Sequence, residues 1–107
     1  CDFYVSVVGL QVGPRPLSSF GYWLFAGERD VLHLSEAVAG EIRRSGSDLT
    51  FDHVAFACEN WPEFRNRLEQ HAIRFTERGV QGNVRRQVFF RDPAGNGIEL
   101  SFPPDTA

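Results

Sequence analysis

The sequence has few cysteines, no strong excess of charge and no long apolar run, and each shortage excludes a class of protein. Its 107 residues include only two cysteines, Cys1 and Cys58, which are too few for a disulfide framework. Eleven basic and fourteen acidic residues leave a formal charge of −3, without the basic stripe that binds nucleic acid or a lipid surface. No stretch has the apolar length of a membrane span, and no secretory signal pattern is found. These absences favour a reducing, cytoplasmic setting.

Sequence motifs of several common enzyme classes are also missing. The chain has no nucleophile elbow, no phosphate-binding P-loop and no dinucleotide fingerprint. Cys58 has no histidine or basic residue close in sequence that would activate its thiol. The sequence therefore predicts no nucleophilic catalysis by cysteine.

The apolar pattern predicts two modules within one domain over residues 1–107. Module one, residues 1–36, begins with a helix that Gly9 or Gly13 ends, and continues with strands. Module two, residues 51–103, reads strand, helix, strand, strand, strand, and residues 37–50 between the modules are expected to form a linker. Both modules then follow a βαβββ order, except that module one lacks its opening strand. Because the chain starts with what resembles the middle of an element, we expect further residues before its first one.

Three short apolar segments each carry one residue of a type that binds metals. These are His33 in residues 31–34, His53 in residues 51–54 and Glu99 in residues 97–100. Neighbouring side chains in a strand alternate between faces, so the three would project from one side of a sheet while their aliphatic neighbours pack behind it. Two imidazoles and a carboxylate on one face can hold a divalent metal and leave positions open for substrate.

The run FFRDPAGNGIEL, residues 89–100, resembles the closing hairpin of the vicinal-oxygen-chelate superfamily, which includes glyoxalase I, extradiol dioxygenases and bleomycin-resistance proteins. Residues 3–10 and 51–56 match other parts of that family, so the resemblance covers nearly the whole chain. It implies an α+β fold in which two βαβββ modules form a cup-shaped, barrel-like mixed sheet with the helices outside. It also implies a homodimer, because two-module chains of this family commonly pair.

The resemblance also implies a set of metal ligands, since the family takes them from the first and last strand of each module. His53 and Glu99 occupy those positions in module two, and His33 lies on the last strand of module one. The fourth position would lie on the strand that this chain lacks. The implied cofactor is a divalent ion, namely Zn, Ni, Mn, Co or Fe(II). Without a metal, His33 would be a hydrogen-bonding residue at the cavity rim, and an arginine would be the partner that a buried Glu99 needs.

Neighbouring strands supply candidates for substrate contact. Gln87 and Phe89 alternate onto the face of Glu99 and should share its cavity. Arg85 lies farther out on that face, where it meets either an anionic substrate group or solvent. Trp23 is a further candidate on a strand whose phase the sequence leaves ambiguous.

These residues predict a metal-dependent enzyme of the glyoxalase type that acts on a small oxygen-chelating substrate. The metal would stabilise an enediolate as a Lewis acid, and Glu99 would serve as the catalytic base of a lyase or isomerase. Two alternatives stay open. His53, Glu99 and a histidine on the absent strand would form the Fe(II) site of an extradiol-type dioxygenase. A metal-free protein of this family would instead bind a drug, as bleomycin-resistance proteins do.

Overall fold

The fold is of the α+β class, as predicted. The structure is a computed structural model that describes residues 1–14, 21–35, 40, 50–79 and 85–104. This part of the chain contains one short π-helical segment, one α-helix and seven strands in two sheets. None of its helices has the length and apolar character needed to cross a membrane.

The chain divides into two compact units, Cys1–Arg43 and Arg44–Ala107. Each unit contains one of the two sheets. Most of the predicted linker lies outside the described residues.

The first unit opens with the helical segment predicted from apolar spacing. A π-helix spans Tyr4–Val8 and buries Tyr4, Val7 and Val8. Gly9 ends it with a φ of 88°, a left-handed conformation that glycine adopts without steric cost.

Three antiparallel strands form the sheet of the first unit, in the order β1–β2–β3. They are β1 (Gln11–Gly13), β2 (Gly21–Ala26) and β3 (Arg29–Ser35). The predicted hairpin joins β2 to β3, and its turn contains Gly27 with a φ of 62°. Leu24 is completely buried in β2, so its neighbour Trp23 projects to the opposite face.

Four strands form the sheet of the second unit, in the order β4–β7–β6–β5. They are β4 (His53–Ala57), β5 (Thr76–Arg78), β6 (Arg86–Arg91) and β7 (Gly97–Phe102). β7 lies between β4 and β6, parallel to β4 and antiparallel to β6. Apolar side chains pack on one face of this sheet, and Val88, Ile98 and Leu100 are completely buried there. Each contributes on the order of 2 kcal/mol through burial.

The α-helix α1 (Trp61–Gln70) covers the apolar face of this sheet. Trp61 and Phe64 both pack edge-on against Phe102, with ring centroids 5.4 Å apart in each pair. Asn60 precedes the helix, and its side chain donates to Glu63 at 3.0 Å instead of capping a backbone N–H.

The turn between β6 and β7 is held by the carboxylate of Asp92, which is 8% exposed. Its Oδ1 accepts hydrogen bonds from the backbone N–H groups of Ala94 at 3.0 Å and Asn96 at 2.8 Å. Its Oδ2 accepts a third from the Asn96 side chain at 3.0 Å. The turn therefore fixes the register in which β6 and β7 meet.

Candidate functional site

The face of the four-stranded sheet that is turned away from α1 carries polar side chains. Register in the sheet pairs His53 with Gly97, and pairs Glu99 with Ala55 on one side and Phe89 on the other. Since alternate residues share a face, His53, Glu99 and Phe89 project in the same direction.

His53 and Glu99 are in contact on this face. The Nε2 atom of His53 lies 3.1 Å from Oε1 of Glu99, whose side chain is 11% exposed. Gln87 donates a longer hydrogen bond of 3.4 Å to the other carboxylate oxygen, and the Phe89 ring meets the imidazole edge-on with centroids 5.6 Å apart. Four residues named from the sequence therefore come together, while their roles stay predictions.

The second ring nitrogen of His53 has a partner that the sequence reasoning missed. Nδ1 donates to the carboxylate of Asp52 at 2.6 Å. This hydrogen bond raises the pKa of His53 above its ordinary value, and the charge of Glu99 acts in the same direction. The same bond lowers the pKa of Asp52. An aspartate directly before the histidine was the only signal for this contact in the sequence.

The donor atoms of His53 and Glu99 suit a divalent metal. Two ligand atoms 3.1 Å apart subtend roughly 95° at an ion about 2.1 Å from each, which fits adjacent positions of an octahedral site or a compressed tetrahedral one. Metal-binding histidines usually donate their other N–H to a carboxylate, and Asp52 supplies that carboxylate here. In the described part of the chain no three His, Cys, Asp or Glu side chains are grouped to hold an ion. These two donors would therefore be joined by further ligands.

His33, the third predicted ligand, lies on β3 in the first unit. Its ring stacks on Trp23 of β2 with centroids 3.9 Å apart and planes 2° apart. Its Nε2 donates to Asp30 at 2.6 Å, and this bond lowers the pKa of the Asp30 carboxyl. Both histidines named as ligands thus have one ring nitrogen held by a nearby aspartate.

Arg85, a candidate for substrate contact, lies directly before β6. Arg85 is exposed and donates to the side chain and the carbonyl of Ser101 at 2.7 and 2.8 Å. His71 is exposed at the end of α1 and donates to the Arg67 carbonyl at 2.8 Å, which agrees with a structural role. Burial raises the pKa of the Cys58 thiol to about 11, so this thiol stays protonated at neutral pH.

A depression of about 230 Å³ opens beside His53 on the same face. Its lining includes Asp52, His53, Thr76, Phe89, Arg91 and Gly97. Arg91 and Gly97 are not predicted as site residues from the sequence, because both belong to a turn motif that indicates a structural role.

One family model matches the sequence. The model for the Glyoxalase/Bleomycin resistance protein/Dioxygenase superfamily covers residues 1–100. None of the curated proteins matches the chain.

Several solved structures share the fold. A protein of the glyoxalase family from Bacillus anthracis has a TM-score of 0.71 and 22% identity, covering 95% of this chain and 80% of its own. Lactoylglutathione lyase from Agrobacterium tumefaciens has a TM-score of 0.63 and 23% identity, covering 94% and 81%. The antibiotic-binding protein TnmS3 from Streptomyces sp. CB03234 has a TM-score of 0.65 and 24% identity, covering 95% and 82%.

Proposed function

Because the chain belongs to the glyoxalase/bleomycin resistance protein/dioxygenase superfamily, we propose that it is a divalent-metal-dependent enzyme acting on a small oxygen-chelating substrate. The supporting observation is the pair of donor atoms on His53 and Glu99, 3.1 Å apart. Asp52 holds the other ring nitrogen of His53, as metal-binding histidines require. When bound, the ion would supply Lewis-acid stabilisation of negative charge on the substrate oxygens.

Glu99 is the proposed base in this reaction. Its carboxylate would take a proton from a carbon next to a substrate carbonyl and return it at a neighbouring position, which is lyase or isomerase chemistry. Gln87 holds the oxygen that does not face His53, and so orients the carboxylate. Phe89 packs beside the imidazole and limits the access of water to this side of the pair.

Metal binding is the first test. Metal-free protein is titrated calorimetrically with Zn, Ni, Mn, Co and Fe(II), and we expect saturable binding of at least one of them. His53→Ala and Glu99→Gln should each abolish that binding. His71→Ala is the matched control, because this exposed histidine donates to the Arg67 carbonyl at the end of its own helix. If no divalent ion binds, or if both site variants bind like the wild type, the proposal is wrong.

Proton transfer is the second test. Small 2-hydroxy ketones are incubated in D₂O with the metal-loaded protein, and exchange of the hydrogen next to the carbonyl is followed by NMR. We expect exchange that Glu99→Gln removes, because this variant lacks the carboxylate that would both hold the metal and take the proton. Consumption of oxygen with catechols, in place of proton exchange, would identify the Fe(II) dioxygenase alternative.

A metal-free binding protein is the second candidate function. One observation favours it: both ring nitrogens of His53 already face carboxylates, so a protonated imidazole satisfies the Asp52 and Glu99 carboxylates without a metal ion. The likeness to an antibiotic-binding protein agrees with this alternative. Drug binding that persists in excess chelator and in His53→Ala would support it, whereas loss of binding in both conditions would favour the metal enzyme.

A further inference from the structure

A notch crosses the polar face of the four-stranded sheet where β7 begins. Register places His53 of β4, Gly97 of β7 and Arg91 of β6 side by side in one row. All three residues line the same depression. Neighbouring strands lie about 4.8 Å apart, so the backbones of the outer two residues are separated by roughly 10 Å.

A residue larger than glycine does not fit at position 97. A Cβ atom there would collide with the Asp52 carbonyl oxygen and would lie 3.0 Å from the His53 Cβ, so glycine lets the two strands approach closely. Both Gly97 and Ile98 of β7 line the depression. Thr76 of β5 and Phe89 of β6 complete its wall on the side of the sheet edge.

Arg91 gives the notch its capacity to bind an anion. One of its N–H groups donates to the Gly95 carbonyl at 2.7 Å, which anchors the side chain at the turn. A guanidinium has five N–H donors, and its planar fork matches the two oxygens of a carboxylate. Asp52, the acidic group that lines the notch, accepts a 2.6 Å hydrogen bond from Nδ1 of His53, and the charge of Arg91 also lowers the pKa of its carboxyl. The guanidinium of Arg91 and the ring of Phe89 line the same depression.

We propose that this notch is a carboxylate-binding subsite, in which Arg91 receives the carboxylate and Phe89 contacts the group that carries it. The volume of about 230 Å³ is below the range of about 300–1,000 Å³ that is typical of drug-sized ligands, so the occupant is a small acid. This inference extends the proposed function and rests on it for the identity of the substrate. The substrate would carry a carboxylate in addition to its chelating oxygens.

The test uses metal-free, full-length protein, so its result does not depend on whether a metal binds. Amide chemical shifts are followed by NMR during titration with benzoate, and in parallel with benzamide, which has the same shape but no charge. We expect saturable shifts at Gly97 and Arg91, and a dissociation constant about tenfold or more lower for benzoate than for benzamide.

Variants decide which residues are responsible. Arg91→Gln should remove the preference for benzoate, and Arg91→Lys should keep part of it. Because Arg91 also holds the turn, Thr76→Glu provides an independent variant, which places a negative charge at the exposed wall of the notch and should abolish benzoate binding. Arg78→Gln is the matched control, since this arginine lies on the same face over the Phe89 ring, with Cζ 5.7 Å from the centroid.

Each possible result of these titrations either supports or overturns the subsite. Preference for benzoate that is lost in Arg91→Gln or Thr76→Glu, and kept in Arg78→Gln, supports the subsite. Equal affinity for the two probes, no saturable binding, or an equal loss in Arg78→Gln overturns it. Either result leaves the metal titration to be judged by itself.

Discussion

At the scale of single residues, His53 is the centre of the site because both of its ring nitrogens are directed by carboxylates. Strand alternation alone predicts that His53 and Glu99 share a face, and the structure brings them into contact. Alternation does not predict the bond to Asp52, because that side chain precedes the strand and reaches the ring through its own rotamer. Strand alternation does not predict the stacking of His33 on Trp23 either, because that contact depends on the register between β2 and β3.

The first residue-scale prediction concerns Asp52→Asn. This change keeps the size of the side chain and removes the charge that favours a ligating His53, so metal affinity should fall by about 10- to 100-fold. Calorimetric titration measures the loss, and NMR titration of the imidazole should show its pKa moving down. Glu69→Gln on the exposed face of α1 is the control and should change neither quantity. Unaltered metal affinity in Asp52→Asn would mean that this carboxylate does not orient the ligand.

The second residue-scale prediction concerns pH. The pKa of His53 is raised above 6.5 in the folded protein, so its protonated form stabilises the fold. This contribution is fully present below pH 6.5 and is lost as the pH rises through the raised pKa. The difference in free energy of unfolding between the wild type and His53→Gln should therefore be larger near pH 6 than near pH 9. Urea titrations at the two pH values provide the measurement. An equal difference in free energy of unfolding at both pH values would contradict a raised pKa of His53.

At the scale of elements, the alternation of apolar residues predicts where strands lie. Local hydrogen bonds explain why a strand begins later than its apolar pattern does. The apolar pattern predicts a strand over residues 73–77, and the strand found there, β5 (Thr76–Arg78), begins three residues after Ile73. The helix end explains the delay, because the Ile73 N–H donates to the Leu68 carbonyl at 2.9 Å and Ala72 adopts a left-handed φ of 55°. Such a helix ending normally uses glycine or asparagine, so the sequence carried no signal for it.

The closing hairpin provides the element-scale prediction. Asp92→Ala removes a largely buried carboxylate that accepts three hydrogen bonds. The donors in the turn then lack this acceptor. The free energy of unfolding should fall by about 2–3 kcal/mol, as measured by urea denaturation. Glu69→Gln should change it by less than about 0.5 kcal/mol. A loss that small in Asp92→Ala would show that the register of β6 and β7 does not depend on this turn.

At the scale of the whole molecule, the chain contains two compact units, each with its own sheet. The two βαβββ modules expected from the element order stay a prediction. The homodimer that the family resemblance implies stays a prediction. Sedimentation equilibrium tests it, with an expected mass of twice the 12.1 kDa of one chain.

Metal binding should also change the stability of the whole chain. An ion present at about 100 times its dissociation constant stabilises the folded state by about 2.7 kcal/mol, which corresponds to a rise in Tm of roughly 10 °C or more for a domain of this size. Differential scanning calorimetry measures the shift. His53→Ala should show none, and an equal shift in that variant would place the ion elsewhere.

The two tryptophans give each unit its own optical signal. Trp23 lies flat against His33 in the first unit, whereas Trp61 packs edge-on against Phe75 and Phe102 in the second. Replacing either indole with phenylalanine leaves a single tryptophan, whose emission reports on one unit only. A denaturant titration of the two variants would therefore reveal whether the halves of this chain melt together or in succession.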